Sequence, residues 1–104
     1  MRRDDEQAGR GETIGALLAR VRAETGISQL RLASRLCAAA GQPTVTRHEV
    51  SRWEREERIP TSYWLDWLAV VLEVPVAELE RAAAAAKRLR NLRDGGIEPY
   101  TRAS

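Results

Sequence analysis

Residues 26–60 read GISQLRLASRLCAAAGQPTVTRHEVSRWEREERIP, and the way this stretch divides into helices decides the fold. Gly26 stands where a helix ended by a left-handed residue wants a glycine. Ser28 follows as the N-cap of the next helix, its hydroxyl free to accept from first-turn amides. Leu32, Ala33, Leu36 and Cys37 return at the spacing of one helical face, and Cys37 reads there as a small buried hydrophobe. Gly41 ends that helix, and Gln42-Pro43 is a turn signal. Thr46 with Glu49 three residues on writes a capping box for a third helix. Val50 and Trp53 are its only large apolar residues, so it has a narrow inner stripe and a wide polar face. That imbalance points to work for the polar side.

Upstream, Ile14, Leu17, Leu18 and Val21 predict a first helix from about Glu12 to Thr25. Downstream, Pro60 and Thr61 open a fourth helix through Leu72, with Trp64, Leu65, Leu68, Ala69 and Leu72 facing inward, and Pro75 breaks it. A fifth, Ala-rich helix runs from about Val76 through Arg93 to Gly95-Gly96. Strand-forming runs are missing, so the expected fold is all-α. Residues 1–10 (MRRDDEQAGR) are expected to be a disordered tail, 11–82 the folded domain, and 83–104 a helical extension with a C-terminal tail.

Size and charge narrow the function classes. A chain of 104 residues fits one small domain with tails. Its net charge of +2, from 17 Lys and Arg against 15 Asp and Glu, is a faint nucleic-acid footprint by itself. The tally from Thr44 to Arg58 is four Arg against four Glu, so function rests on where the charges sit. One cysteine excludes an internal disulfide and a multi-cysteine zinc site. His48, the single histidine, has Ser51 within reach but no glycine turn of the kind that stabilises an oxyanion, and no carboxylates stand at metal-ligand spacing around it. An enzyme, a metal and a cofactor are therefore not expected. With no signal peptide and no apolar run of ~20 residues, a cytoplasmic protein with no membrane contact is expected.

At its second and third helices the chain resembles the Cro/C1 (Xre-like) helix-turn-helix family. The matching stretches are Gly26-Ile27-Ser28-Gln29, Leu32-Ala33, Val50-Ser51-Arg52-Trp53-Glu54-Arg55 and Arg58-Ile59-Pro60, followed by Leu68-Ala69-x-x-Leu72, Val74-Pro75 and Leu79. The resemblance spans about Ile14 to Leu79. It implies a five-helix, lambda-repressor-like DNA-binding domain in a transcription regulator, repressor or activator, reading double-stranded DNA through the major groove with residues 46–55, while the Ala- and Arg-rich composition points to a bacterial source. Base contacts are then expected from Arg47, His48, Ser51 and Arg52, since arginine suits the paired acceptors of guanine. Phosphate contacts are expected from Gln29, Thr46, Arg55 and Arg58, which set register without reading sequence. The resemblance also implies that Arg22 and Glu54 form a partly buried ion pair joining the first and third helices. Val50, Trp53 and Trp64 are expected in the core, and Trp67 lies one position off the best inner row.

The chain departs from the family pattern at two places. Segment 37–46 looks like an insertion of about six residues, which lengthens the second helix and the turn after it and alters the docking angle of the third. Glu56 stands where the family often has glycine, and with Glu57 it is expected to put negative charge near passing phosphates and weaken non-specific binding. Regulators of this kind read half-sites as homodimers. Leu79, Ala82, Ala86, Leu89 and Leu92 repeat along the fifth helix, whose far half either pairs with a second copy or packs on its own domain and frays after about Arg88. Lys87, Arg88, Arg90 and Arg93 make a basic cluster there, either a solvated face or a contact to phosphate or partner. The competing function is an antitoxin-like or adaptor module that binds a protein through the same fold.

Overall fold

Four helices of the computed structural model, which describes residues 11–95, begin on a side-chain hydroxyl. Thr13 accepts from Ala16 N at 3.4 Å, Ser28 from Arg31 N at 3.0 Å, Thr46 from Glu49 N at 3.2 Å and Thr61 from Trp64 N at 3.5 Å. Each bond satisfies an amide that the helix itself leaves unpaired. The helices they open are α1 (Ile14–Thr25), α2 (Gln29–Ala40), α3 (Arg47–Glu54) and α4 (Ser62–Leu72); α5 (Val76–Gly95) follows Pro75. Among the described residues there is no strand. The α1 start lies slightly later than the apolar pattern suggested, because Thr13 rather than Glu12 marks the boundary.

The stops are equally local. Gly26 and Gly41 end α1 and α2 with φ of 74° and 71°. At the end of α4 a non-glycine takes the same role: Glu73 has φ 57°, and Val74 N donates to Ala69 O at 3.1 Å.

These elements close around one core. Trp53, Ile14, Leu18, Leu32, Leu36, Leu68, Leu79 and Val50 are fully buried, and each large aliphatic side chain contributes about 1.5–3 kcal/mol by leaving water. α3 packs on α1 and α2, α4 on α2 and α5, and α5 on α1. The beginning of α5 (Glu78, Ala82), with Pro75 just before it, shares a groove with the end of α1 (Val21, Glu24, Thr25). Near its other end, Arg90 Nη2 donates at 2.8 Å to the carbonyl of Glu57, beside the beginning of α1, where Glu56 contacts Gly15. α5 therefore runs antiparallel to α1.

Three expectations change on this frame. The α5 core face, Leu79, Ala82, Ala83, Ala85 and Ala86, reaches past residue 82, because small side chains let the helix lie close on its neighbours. Beyond Ala86 the helix continues to Gly95 with Leu89 and Leu92 exposed. Cys37 is half-buried, since it faces the α2–α3 connection, where its thiol donates to Val45 O at 3.1 Å. Trp64 is half-buried too: the inward row of α4 is Leu65, Leu68 and Leu72, and Trp64 sits beside it, edge-on to Tyr63 with ring centroids 5.0 Å apart. Trp67 is likewise half-buried against the core. The expectations for 1–10 and for the tail after Gly95 lie outside the described residues. Among the described residues no helix is long and apolar enough to cross a membrane.

Candidate nucleic-acid interface

α3 is held from beneath by Val50 and Trp53, 0% and 2% exposed. Helical spacing puts His48, Ser51, Arg52 and Arg55 on the side opposite that pair, with Arg47 flanking it at the first turn. Arg47 and His48 are exposed, and Ser51 and Arg52 are half-exposed. Position on this helix is fixed by the connection before it. The chain from Gly41 to Thr46 is far longer than a tight turn, yet Val45 within it is buried, and its carbonyl is the acceptor of the Cys37 thiol. Gln42 Nε2 donates to the Tyr63 hydroxyl at 2.6 Å, tying the same connection to α4. This connection thus has its own anchors.

Capping of α3 is one-sided. Thr46 accepts from Glu49 N, but the Glu49 carboxylate turns instead to Arg58 Nε at 3.4 Å.

The four carboxylates of the segment are all directed to partners. Glu54, 9% exposed at its side chain, accepts from Arg22 Nε at 2.7 Å and Nη2 at 3.1 Å, and from Gln29 Nε2 at 2.9 Å. Arg22 Nη1 also donates to Ile27 O at 3.0 Å, so one guanidinium joins α1, the α1–α2 turn and α3. The hydrogen bond to Glu54 holds the Arg22 pKa above its usual value. Glu56 Oε2 accepts from Gly15 N at 3.0 Å, at the amide-rich beginning of α1, where negative charge is favoured. Glu57 lies 3.4 Å from Arg55 Nη2, and Glu49 takes Arg58. Arg47 and Arg52 are left without an ion pair to any described side chain.

Sequence reading missed the role of Glu56. It is turned inward onto α1, away from the role of a free charge near phosphate, and its φ of 59° shows why glycine would fit that position. Gly15 carried the signal: a Cβ there would fall against the Glu54 carbonyl oxygen and within 2.7 Å of Glu56 Cγ. Gln29, expected at phosphate, has its amide on Glu54. Arg55 and Arg58 are exposed but ion-paired, and Thr46 is exposed with its oxygen engaged as the cap. Arg31 and Arg35, exposed on α2 and likewise without an ion pair to a described side chain, had no distinguishing sequence signal. Among the described residues no cluster of three or more His, Cys, Asp or Glu could hold a metal ion.

Compared with models of protein families, with curated proteins and with solved structures, the chain matches none.

Proposed function

We propose that this chain is a sequence-specific double-stranded DNA-binding protein, a transcription regulator of the Cro/C1 helix-turn-helix type with a lambda-repressor-like domain. One observation carries the reading. A segment with equal numbers of Arg and Glu has every carboxylate turned to a partner, which leaves Arg47 and Arg52 beside His48 and Ser51 on the solvent side of α3. A row of donors on a helix anchored from behind suits a major groove, where Arg meets guanine O6 and N7. Arg55 and Arg58 then serve phosphates, exchanging weak intramolecular pairs for stronger contacts.

Selection from a random duplex pool, followed by sequencing, tests this directly, and a pseudo-palindrome among the bound sequences would report two copies per site. On the selected sequence, Arg52→Ala is expected to lose most of the preference over random DNA. Arg58→Ala is expected to weaken all sequences alike and to reduce the slope of log K against log salt by about 0.9. Wild-type discrimination in Arg52→Ala would sink the docking. A stoichiometric protein partner together with no DNA retention at low salt would favour the adaptor or antitoxin-like reading instead.

A further inference from the structure

The far half of α5 changes character where it leaves the domain. Ala82 and Ala86 belong to the face that packs on the core, and positions 90 and 93 continue that face by helical spacing. Both are arginines. The face therefore switches from alanine to arginine as the helix passes the turn after α3, and Arg90 reaches that turn by its 2.8 Å bond to Glu57 O. From 87 to 93 the sequence is KRLRNLR, four cations and no carboxylate. α5 has 20 residues against 12 in the antiparallel α1; at 1.5 Å per residue its far end extends about 10 Å beyond Ala86 at Arg93.

We propose that Arg90 and Arg93 grip the phosphate backbone of the same DNA, outside the base pairs that α3 reads, so that α5 extends the footprint along the duplex. This rests on the DNA-binding reading above and adds to it a flanking contact. Continuity with the α3 surface through the Arg90–Glu57 bond, and charge complementarity to phosphate, favour DNA as the occupant. A second copy is less well matched: Leu89 and Leu92 are two exposed leucines one turn apart, while a stable interface takes roughly 600 Å² or more from each partner. Arg88 lies on the side of α5 facing away from the domain by helical spacing, and it supplies an internal control of equal charge.

The experiment compares wild type, Arg93→Gln, Arg90→Gln with Arg93→Gln, and Arg88→Gln on two duplexes. One ends at the selected base pairs; the other carries six further base pairs on each side. On the long duplex the salt slope is expected to fall by about 0.9 for Arg93→Gln and up to twice that for the double variant. Sequence preference is kept, Arg88→Gln stays near wild type, and the short duplex shows no difference. Arg93→Gln, at an exposed residue with no described hydrogen bond or ion pair, keeps the test valid if removing Arg90 disturbs the Glu57 turn. Equal effects of Arg88→Gln and Arg93→Gln, or effects that persist on the short duplex, would overturn the flanking contact while leaving the α3 reading intact. So would a dimer mass in solution that Leu89→Ser with Leu92→Ser reduces to monomer while the charge variants change nothing. A wild-type protein that retains neither duplex at low salt overturns both.

Discussion

Glu54 shows how a carboxylate can sit on a helix proposed to face DNA. Arg22 and Gln29 hold both of its oxygens, and its side chain is nearly buried. Removing Arg22 leaves that charge unpaired, so Arg22→Ala is expected to cost about 3 kcal/mol, the low end for such pairs because the guanidinium keeps some contact with water. Urea unfolding with an unchanged m-value measures it, and a loss under 1 kcal/mol would make the pair ornamental. Two other glutamates occupy left-handed backbone and are expected to diverge. Glu73→Gly relieves the Cβ clash at an exposed C-cap and is expected to stabilise by about 1 kcal/mol. Glu56→Gly relieves the same clash but surrenders the bond to Gly15 N, and is expected to change stability by less than ~0.5 kcal/mol. A pair of thermal melts on the two variants checks the contrast; equal shifts would mean the Glu56 contact contributes nothing.

The element that matters most is α3 together with the connection before it. Eight residues are too few to form a stable helix alone, so its place is set by Val50 and Trp53 below, Glu54 at one end and Val45 at the other. Val45→Ala removes a buried branched side chain from that connection and is expected to cost about 2 kcal/mol. It is also expected to weaken specific DNA binding beyond what the lost stability explains, because α3 loses the anchor of its first turn. Titration at a temperature where variant and wild type are both fully folded separates these effects. The element boundaries themselves were legible. Ser28, Thr46 and Thr61 as caps, and Gly26 and Gly41 as stops, act through bonds spanning three to five residues. Glu73 as a stop was not legible, since a glutamate carries no preference for left-handed backbone.

At the scale of the whole molecule, a small charge excess is sorted by position rather than amount. Arg20 of α1 pairs with Glu24 in the same helix and with Glu12 just before it, α3 has its carboxylates withdrawn, and the only charges from 87 to 93 in α5 are basic. The core, meanwhile, ends at Ala86. A chain ending at Ala86 is therefore expected to keep cooperative unfolding while losing the flanking contact and the Arg90–Glu57 bond. One ending at Leu79 forfeits four buried alanines and is expected to unfold below room temperature or without cooperativity. Circular dichroism melts of the two truncations decide whether the core stops where the burial says.

The sequence by itself determined the helical class, the order of the helices, most of their ends and the row of donors on α3, because caps, stops and apolar spacing act over a few residues. Only the tertiary structure decided which charges remain outward. Glu54 meets Arg22 across 32 positions of chain, a pair the family resemblance had implied, whereas Glu56 meets Gly15 N across 41, which was not foreseen from the sequence. Pairings at that separation depend on how helices cross, which no local pattern encodes. Trp64 and Ala86 follow the same logic: periodicity names a face, but the neighbouring helices set how far along and how deeply it is covered.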